Sequence, residues 1–461
     1  MIIMSKASRK VKLAILGTGI LSFCGSLMMT ALNVAFPTLM NQFHISLSTV
    51  QWLTSATMLA SCITMFTTAM LYKKIRLKTI FEIAVSLFII NIILALGTPN
   101  FGILLLARVI GGISTELCTP LIFTLIIQNV PTEFSGRYMS LGSLAVAVAP
   151  TIGPTFGGLV INYFNWKWIF LFILPFAILS LILGAINIPQ AEKTQAITFD
   201  WAGFGLVAGF VTLFLLGISK LNIPVIGNII LLVLSLIFLL LYIRHSKKVT
   251  KPLFNISVFK NKLFTLFFAT YFLLQLTNIS LGGFIVPNMA QLAMHATAMV
   301  AGLIVLPGSL LRLVFIPLSG RILDEQGPVK PMIIGFTVNV IFFIALVTAV
   351  PKLTPIWVMV AYLFYNVGFS LTFSNAMTLG INSLPKEIQS DGNAIFNAFQ
   401  QYSGAIGTTI VSFLMNLGKN THPGTFGMRL GSRFSLSFLM VTTIIGFIAV
   451  LTAFKLKKTH D

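Results

Sequence analysis

Three ionisable side chains lie inside long apolar stretches of the sequence: Arg108, Glu116 and Arg312. A charged side chain at the centre of a bilayer costs about 2.5–3.5 kcal/mol on insertion scales, so such residues usually serve a function. Of the ten acidic residues, Glu116 is the one near the middle of such a stretch. We therefore predict that Glu116 takes up a proton and releases it on the opposite side, and that its charge state biases two conformations. The alternative is a neutral glutamate that packs its helix.

The two arginines allow more than one interpretation. Arg108 lies two helical turns from Glu116, about 12 Å along a helix axis, so the two side chains cannot pair directly. Polar groups of another helix are its expected partners, unless its side chain extends to the membrane surface. Arg312 lies about two turns from the end of its apolar stretch. It is predicted to line a cavity and to face an anionic substrate group or Glu116, although extension to the membrane surface fits its position equally well.

The composition predicts the elements that position these residues. The chain is 57% hydrophobic and 9% charged, which excludes an ordinary soluble domain. Apolar runs long enough to cross about 30 Å of hydrocarbon predict an all-α integral membrane protein with fourteen transmembrane helices. These spans are 13–36, 50–72, 79–97, 102–128, 137–160, 166–187, 201–219, 224–243, 263–286, 297–319, 330–350, 355–379, 392–416 and 434–455.

The charge distribution predicts the orientation. Most of the 30 lysine and arginine residues fall in the segments that lie on the same side as the N-terminus. Positive charge is retained on the cytoplasmic side, so we expect a multi-pass protein of the cell (plasma) membrane with both termini in the cytoplasm. The net charge of +20 does not indicate a nucleic-acid partner, because the sequence has no contiguous basic surface with base-reading groups.

Residue types that carry enzymatic or metal chemistry are not grouped in this sequence. Cys24, Cys62 and Cys118 lie within apolar spans without metal-ligand spacing, so they are predicted to pack as small apolar residues. No Ser/His/Asp grouping or glycine-rich phosphate loop is visible. We therefore predict no catalytic residues, no metal and no cofactor. The first apolar run is too long for a signal peptide and is predicted to be the first span.

An internal repeat divides the chain. Ala69, Lys73 and Arg76 stand at the end of the second span, and Gly320, Asp324 and Gly327 stand at the end of the tenth, each 251 positions later. The repeat predicts an N-terminal six-helix bundle over 1–190 and a C-terminal six-helix bundle over 263–461. Between them, 191–262 is predicted to be an inserted two-helix linker that ends in a basic cytoplasmic connector. Transporters built from repeated bundles bind substrate near the midplane between the repeats.

The fifth span has a pattern typical of a bent, closely packed helix. Pro150 and Pro154 stand one turn apart, and Gly153 and Gly157 have the same spacing, with Gly158 directly after them. Proline removes a backbone donor, while glycine lets another helix approach closely. In lipid such breaks survive only where neighbouring helices satisfy the freed carbonyls. These five residues are therefore predicted to serve conformational switching.

Several motifs, in this order and on these spans, resemble the fourteen-helix drug:proton antiporter branch of the major facilitator superfamily. The resemblance covers nearly the whole chain. It rests on Gln51-Trp52-Leu53, on Arg108-Val109-Ile110-Gly111-Gly112, on 149–158, and on the loop from Gly320 to Gly327. The resemblance implies multidrug efflux driven by proton influx through alternating access, with Arg108 supporting proton coupling. It also implies that Asp324, with Gly320 and Gly327, stabilises one access state by holding a neighbouring helix end.

Three positions depart from the pattern of this branch. Met28 stands where an acidic residue normally precedes the string Leu32-Asn33-Val34-Ala35-Phe36-Pro37. Lys73 and Arg76 stand where the first loop motif has aspartate and glycine. The usual proton-coupling arrangement is therefore in question, and the two halves should be held unequally in the closed state.

Polar and aromatic residues within the spans are candidates for a substrate cavity, because a mostly apolar cavity with scattered polar groups suits amphipathic ligands. Each could instead be a hydrogen-bond partner between helices. Besides Arg312, they are Asn33, Trp52, Gln275, Asn278, Tyr362, Tyr365, Asn366, Asn397 and Gln401. The partners expected from the sequence are membrane lipids, protons and a small-molecule substrate, and the protein is expected to work as a monomer.

The leading interpretation is a secondary active exporter of hydrophobic or amphipathic drugs that uses the proton gradient. A second keeps the fold but assigns export of a specific metabolite, lipid or peptide-like product with atypical or no proton coupling, and Met28 favours it. A membrane enzyme lacks a catalytic grouping, and a channel lacks rings of pore-lining charge.

Overall fold

The computed structural model describes residues 8–189, 199–219, 225–250, 252–350 and 353–458, except for the side chains of Ala69, Thr132 and Asp324. All regular secondary structure within these ranges is helical. Such a chain suits lipid, because a helix satisfies its backbone hydrogen bonds internally.

Residues 8–189 contain eight α-helices, of which α1 and α2 are joined by a 3-10 turn over Leu32–Ala35 into one rod. They are α1 Arg9–Ala31, α2 Phe36–Phe43, α3 Leu47–Val50, α4 Trp52–Lys74, α5 Leu77–Leu96, α6 Phe101–Asn129, α7 Thr132–Tyr163 and α8 Trp168–Asn187.

The described residues from 199 onward contain nine α-helices, and a π-helical turn over Leu281–Ile285 joins α11 to α12. They are α9 Trp201–Ile218, α10 Val225–Ser246, α11 Lys262–Ser280, α12 Val286–Met294, α13 Ala298–Gln326, α14 Val329–Ala349, α15 Pro355–Asn382, α16 Gln389–Thr421 and α17 Gly424–Lys458.

Twelve helical spans among the described residues are long and apolar enough to cross a membrane. The predicted spans 50–72 and 392–416 correspond to α4 and α16, which are not among the twelve. Both are long enough, with 23 and 33 residues. However, the side chain of Ala69 in α4 is not among the described parts of the structure, and α16 is rich in Gln, Asn, Ser and Thr, which lowers its mean hydropathy. The structure thus supports an all-helical membrane protein with at least twelve candidate spans.

The internal repeat of the sequence is visible in the backbone. A broken helix ends at His44 in the first half and at His295 in the second, which are 251 positions apart. Both residues adopt the left-handed region, with φ of 51° and 55°, and no other described non-glycine residue has a positive φ. Such a conformation is uncommon outside glycine. Long helices follow His44 and His295 in a similar order along the chain, so the two parts have a similar backbone arrangement at this point.

Asp200 attaches the α9–α10 pair to the segment that follows it. Its carboxylate accepts hydrogen bonds from the backbone N–H of Gly203 (2.8 Å) and of Leu253 (3.2 Å), and lies 2.6 Å from Nε2 of His245. Burial alone would raise the pKa of this carboxyl, but the hydrogen bonds from Gly203, His245 and Leu253 hold the pKa below its usual range. Asp200 thus caps α9 and joins it to α10.

We expect Asp200→Ala to lower the thermal midpoint of the purified protein, because loss of an N-cap costs about 1 kcal/mol. The pKa of the folded state is depressed, so this contribution is present above the unfolded carboxyl value of about 4 and is lost as the pH falls through the folded value. Midpoints measured by differential scanning fluorimetry from pH 7 to pH 3 should converge for wild type and variant. The exposed Glu325→Ala serves as control, and parallel curves at all pH values would contradict the role of Asp200.

Candidate functional site

Glu116 lies at the middle of α6, about 20 Å along the axis from either end. Its side chain is half-buried and forms no hydrogen bond or ion pair with any described residue. Cys62 and Tyr72 of α4 are close enough to interact electrostatically with it. A carboxyl group at this depth without a partner is costly in its charged form, so its protonation will respond to whatever solvent or ligand reaches it.

Arg108 lies inside the first half and not at the membrane surface. Its side chain is 2% exposed, and its guanidinium has no hydrogen-bond partner among the described residues. It borders a cavity of about 10 Å³ that Met28 of α1 also lines, together with Thr57 and Ser61 of α4. This volume is about that of one water molecule. The guanidinium therefore lacks the polar partners that its sequence position predicted.

Met28 is an apolar neighbour of the cavity that Arg108 borders. Met28 is 1% exposed, and its sulfur lies 3.9 Å from the side-chain amide of Asn91, whose Oδ1 also lacks a partner. In the transporter branch that this chain resembles, position 28 normally carries an acid. Met28 borders the same cavity as Arg108. An acid at position 28 would border the same small cavity as the guanidinium, so the acid that the resemblance implies would be placed where it could pair with Arg108.

Restoring that acid should be tolerated, although a carboxylate introduced elsewhere in the core should not. We expect Met28→Asp to keep the wild-type expression level and thermal midpoint, because Arg108 supplies the opposite charge. A matched Leu21→Asp, at a position that is also fully buried in α1, should lose several kcal/mol, because an uncompensated buried charge is strongly destabilising. Midpoints from size-exclusion thermal shift measure both. Equal destabilisation of the two variants would show that Arg108 does not reach position 28.

Arg312 lies at the middle of its helix, and its side chain has contacts on two other helices. The helix α13 continues past the predicted end of the span at residue 319 and reaches Gln326, so Arg312 is at its middle, fourteen residues from either end. Its Nη1 donates to Oδ1 of Asn278 at 3.3 Å, and its guanidinium carbon lies 5.9 Å from the ring centroid of Phe369. The side chain therefore points between α11 and α15, which opposes its extension to the membrane surface.

Aromatic rings form a continuous column beside Arg312. On α15, the ring centroids of Tyr362 and Tyr365 are 6.0 Å apart, those of Tyr365 and Phe369 6.1 Å, and those of Phe369 and Phe373 4.9 Å. Within the part of the chain that the structure describes, the hydroxyl of Tyr365 has no hydrogen-bond partner, and neither does Oδ1 of Asn366. Sequence reasoning missed Phe369 and Phe373, although the spacing of three and four residues places all four rings on one helix face.

The structure brings together some predicted cavity residues and separates others. Gln275 and Asn278 are joined by a 3.5 Å contact, which connects Gln275 to Arg312 through Asn278. Asn397 instead donates to the backbone of Asn393 on its own helix at 2.9 Å. Trp52 is buried, and Gln401 is half-buried on α16. No described contact joins Asn397, Gln401 or Trp52 to Arg312.

A polar seam connects the two halves at the end of the bundle opposite the chain termini, which we call the distal end. The side-chain nitrogen of Gln51, directly before α4, donates to Thr408 of α16 at 3.0 Å. The Ser55 hydroxyl donates to the Ala405 carbonyl at 3.1 Å, and Asn33 donates to the Gly283 carbonyl at 2.7 Å. Sequence reasoning selected Asn33 for the cavity and missed Gln51 and Thr408 as a pair, because no local signal indicates which helices meet.

The proline and glycine residues of α7 pack where two helices cross. The carbonyl of Pro150 cannot bond to Pro154, which lacks an N–H, and it accepts a hydrogen bond from Thr30 of α1 at 3.4 Å. A Cβ at Gly153 or Gly157 would meet α1, at 1.9 Å from Thr30 and 2.2 Å from the carbonyl of Ala31. The freed carbonyl and the glycines thus serve the close contact between α7 and α1.

Gly158 has a different neighbour, because it contacts the second half. A Cβ there would lie 2.3 Å from the carbonyl of Ala298 in α13, and a Cβ at Gly302 would lie 2.3 Å from the carbonyl of Pro154. The hydroxyl of Thr155 donates to the Gly302 carbonyl at 3.1 Å. The two helices therefore cross backbone to backbone at the distal end, with no room for side chains.

The loop motif after α13 is described only in part. Gly327 ends the helix with φ of 74°, a conformation that favours glycine, and its N–H bonds to the Leu323 carbonyl at 3.0 Å. A Cβ at Gly320 would meet nothing within 4 Å. The side chain of Asp324 lies outside the described residues, so its predicted contact with a helix end stays a prediction.

Comparisons with known proteins agree with this architecture. The model of the Major Facilitator Superfamily matches residues 18–408. The chain is 30% identical over 477 aligned positions to the lincomycin resistance protein LmrB of Bacillus subtilis, covering 99% of each. It is 24% identical to the multidrug resistance protein B homolog of Mycobacterium tuberculosis, covering 84% of this chain and 73% of that protein. The crystal structure of a D-xylose-proton symporter superposes with a TM-score of 0.63 at 17% identity, covering 93% and 96% of the two chains, a likeness of fold alone.

Proposed function

Because the chain belongs to the major facilitator superfamily, we propose that this transporter exports hydrophobic and amphipathic drugs in exchange for protons. Relatives named for lincomycin and multidrug resistance support drug efflux. In this proposal the proton gradient supplies the energy, no cofactor takes part, and the monomer in the plasma membrane is the working unit.

The observation that carries the proposal is the Glu116 carboxyl. It lies at the centre of a membrane-length helix, half-buried and without a partner among the described residues. The charged form of a carboxyl is costly in such an environment, and the cost depends on what surrounds the group in each conformation. Protonation can therefore favour one conformation over the other. Arg312 and the aromatic column beside it offer a surface of mixed character for an amphipathic substrate.

Alternating access is supported by the contacts that close the distal end. The seam around Gln51 and the crossing of Gly158 with α13 hold the two halves together there. With the termini in the cytoplasm, as the positive-inside rule predicts, the closed end is the outer one. Opening the distal end would then require these contacts to separate.

We also propose the full fourteen-helix arrangement, with bundles over 1–190 and 263–461 and an inserted pair within 191–262. In this arrangement α4 and α16 cross the membrane despite their polar residues, because those residues face each other along the seam. The hydrogen bond of Tyr402 to the Val211 carbonyl (2.9 Å) joins α9 to α16, which supports a position of the inserted pair beside the seam.

Transport by inside-out membrane vesicles tests the proposal. Vesicles with an acidic interior should accumulate lincomycin and hydrophobic fluorescent dyes, and a protonophore should release them. Vesicles from cells without the protein set the background. Accumulation that is unaffected by collapse of the pH gradient would contradict proton coupling, and absence of transport for every such compound would contradict the drug specificity.

Met28 specifically favours a second candidate, the exporter of one metabolite, lipid or peptide-like product with weak or absent proton coupling. Without an acid at position 28, Arg108 has no partner among the described residues. The set of proton-coupling residues that the resemblance implies is therefore incomplete in this chain. In this case, vesicles would take up a solute from the cell extract, and an imposed pH gradient would not change that uptake. Hydrophobic dyes would not inhibit the uptake of this solute.

A further inference from the structure

A long apolar groove lies on the outer surface of the first half, between α1, α7 and α8. Its volume is about 840 Å³, within the ~300–1,000 Å³ that small-molecule sites usually have. All residues that line it precede residue 190, so it is separate from the seam and from Arg312. The groove therefore belongs to neither the proposed proton site nor the proposed substrate site.

The groove opens sideways, toward the hydrocarbon of the membrane. Several of its lining residues are among the exposed apolar side chains, with exposures from 38% to 55%. They are Leu16, Leu141, Leu159, Phe164, Phe172 and Phe176. A ligand that fills this space must thus come from the bilayer and be apolar along most of its length.

One end of the groove is polar. Lys12, in the first turn of α1, lines it and forms no ion pair with the described residues. Tyr138 of α7 also lines it; its side chain is 6% exposed, and its hydroxyl has no hydrogen-bond partner among the described residues. From Lys12, the groove follows α1 to Leu27, about 22 Å by helical rise. Since the hydrocarbon core is about 30 Å thick, an extended chain that starts at Lys12 would reach past the midplane.

We propose that this groove binds one anionic phospholipid from the leaflet on the side of the chain termini. Lys12 pairs with its phosphate, the Tyr138 hydroxyl donates to the head group or an ester carbonyl, and an acyl chain follows α1 between α7 and α8. The positive charge of Lys12 at the polar end selects an anionic head group. The long apolar groove selects a ligand with an acyl chain, which a soluble phosphate does not have. This site does not depend on what the protein transports.

Native mass spectrometry of the delipidated, detergent-purified protein tests the site. With phosphatidylglycerol and phosphatidylcholine of identical acyl chains, wild type should retain one phosphatidylglycerol preferentially. Lys12→Gln should lower the affinity for phosphatidylglycerol about fivefold, as expected for one lysine near an anionic surface, and should leave that for phosphatidylcholine unchanged. Lys10→Gln, which removes an exposed lysine of the same helix turn that does not line the groove, is the matched control.

A second variant tests the apolar part. Gly19 lines the groove, and a Cβ there meets nothing within 4 Å, so Gly19→Phe should fill the space without disturbing α1. It should abolish retention of the bound lipid. Gly205→Phe, at an equally open glycine of α9, should retain it. Unchanged thermal midpoints show that both variants are folded.

The proposal is overturned if wild type does not distinguish the two head groups, if Lys12→Gln and Lys10→Gln act alike, or if Gly19→Phe still retains the lipid. Competition by glycerophosphate as effective as that by the whole lipid would assign the polar end to a free phosphate instead. Appearance of dimers that Gly19→Phe disrupts would assign the groove to a second copy of the chain.

Discussion

A Glu116→Gln protein will fold and exchange substrate downhill, yet it will no longer accumulate substrate in response to a pH gradient. Glutamine keeps the size and polarity of the side chain but cannot take up a proton. With one proton per substrate, a gradient of one pH unit supports about tenfold accumulation, since one unit corresponds to about 1.4 kcal/mol. That tenfold component should disappear in acidic-inside vesicles, while counterflow without a gradient should continue.

The matched control is Glu82→Gln. Glu82 is also an acid on an N-terminal-half helix, but its side chain is 43% exposed and lies 4.0 Å from Lys78. It should keep gradient-driven accumulation. If Glu116→Gln still accumulated substrate to the wild-type level in a protonophore-sensitive manner, another group would have to carry the proton. A doubly substituted Glu116→Gln, Met28→Asp protein would show whether an acid beside Arg108 can take over this role.

A Gly158→Ala protein will transport poorly because its distal end cannot close. The added methyl group would lie 2.3 Å from the carbonyl of Ala298, so α7 and α13 must separate. Overpacking of this kind costs about 1–3 kcal/mol, which shifts a conformational equilibrium by about five- to 150-fold. The closed form should lose population, and turnover should fall in proportion. Gly136→Ala on the same helix, where a Cβ meets nothing within 4 Å, should transport normally.

Labelling at the seam separates a conformational effect from simple misfolding. Thr409 belongs to the seam, because its hydroxyl lies 3.0 Å from that of Ser55. Cys24, Cys62 and Cys118 are buried, so a Thr409→Cys reporter will dominate the reaction with a membrane-impermeant maleimide. Labelling should be slow in the parent and faster with Gly158→Ala, because the distal end is then open. Equal labelling rates in both proteins, together with lost transport, would contradict a role of Gly158 in closure.

Much of the helix arrangement follows from local sequence. An apolar run of about 20 residues has to be a helix in lipid, so most predicted spans coincide with helices to within a few residues. The span at 392–416 is harder, because the polar residues of α16 look unsuited to lipid until their partners on α4 are known. The surroundings of Arg312 could not be predicted for a related reason, because Asn278 and Phe369 lie on other helices.

The amino-acid sequence alone determined the class of protein, the repeat and the rarity of charge within the spans, because hydropathy and spacing are local properties of a chain. Only the tertiary structure decided which of those residues meet. It placed Met28 at the cavity beside Arg108, Phe369 beneath Arg312, and Gly158 against Ala298. Such contacts depend on the rotation and crossing of helices that are far apart in the chain, and backbones approach closely only where packing over the whole bundle permits it.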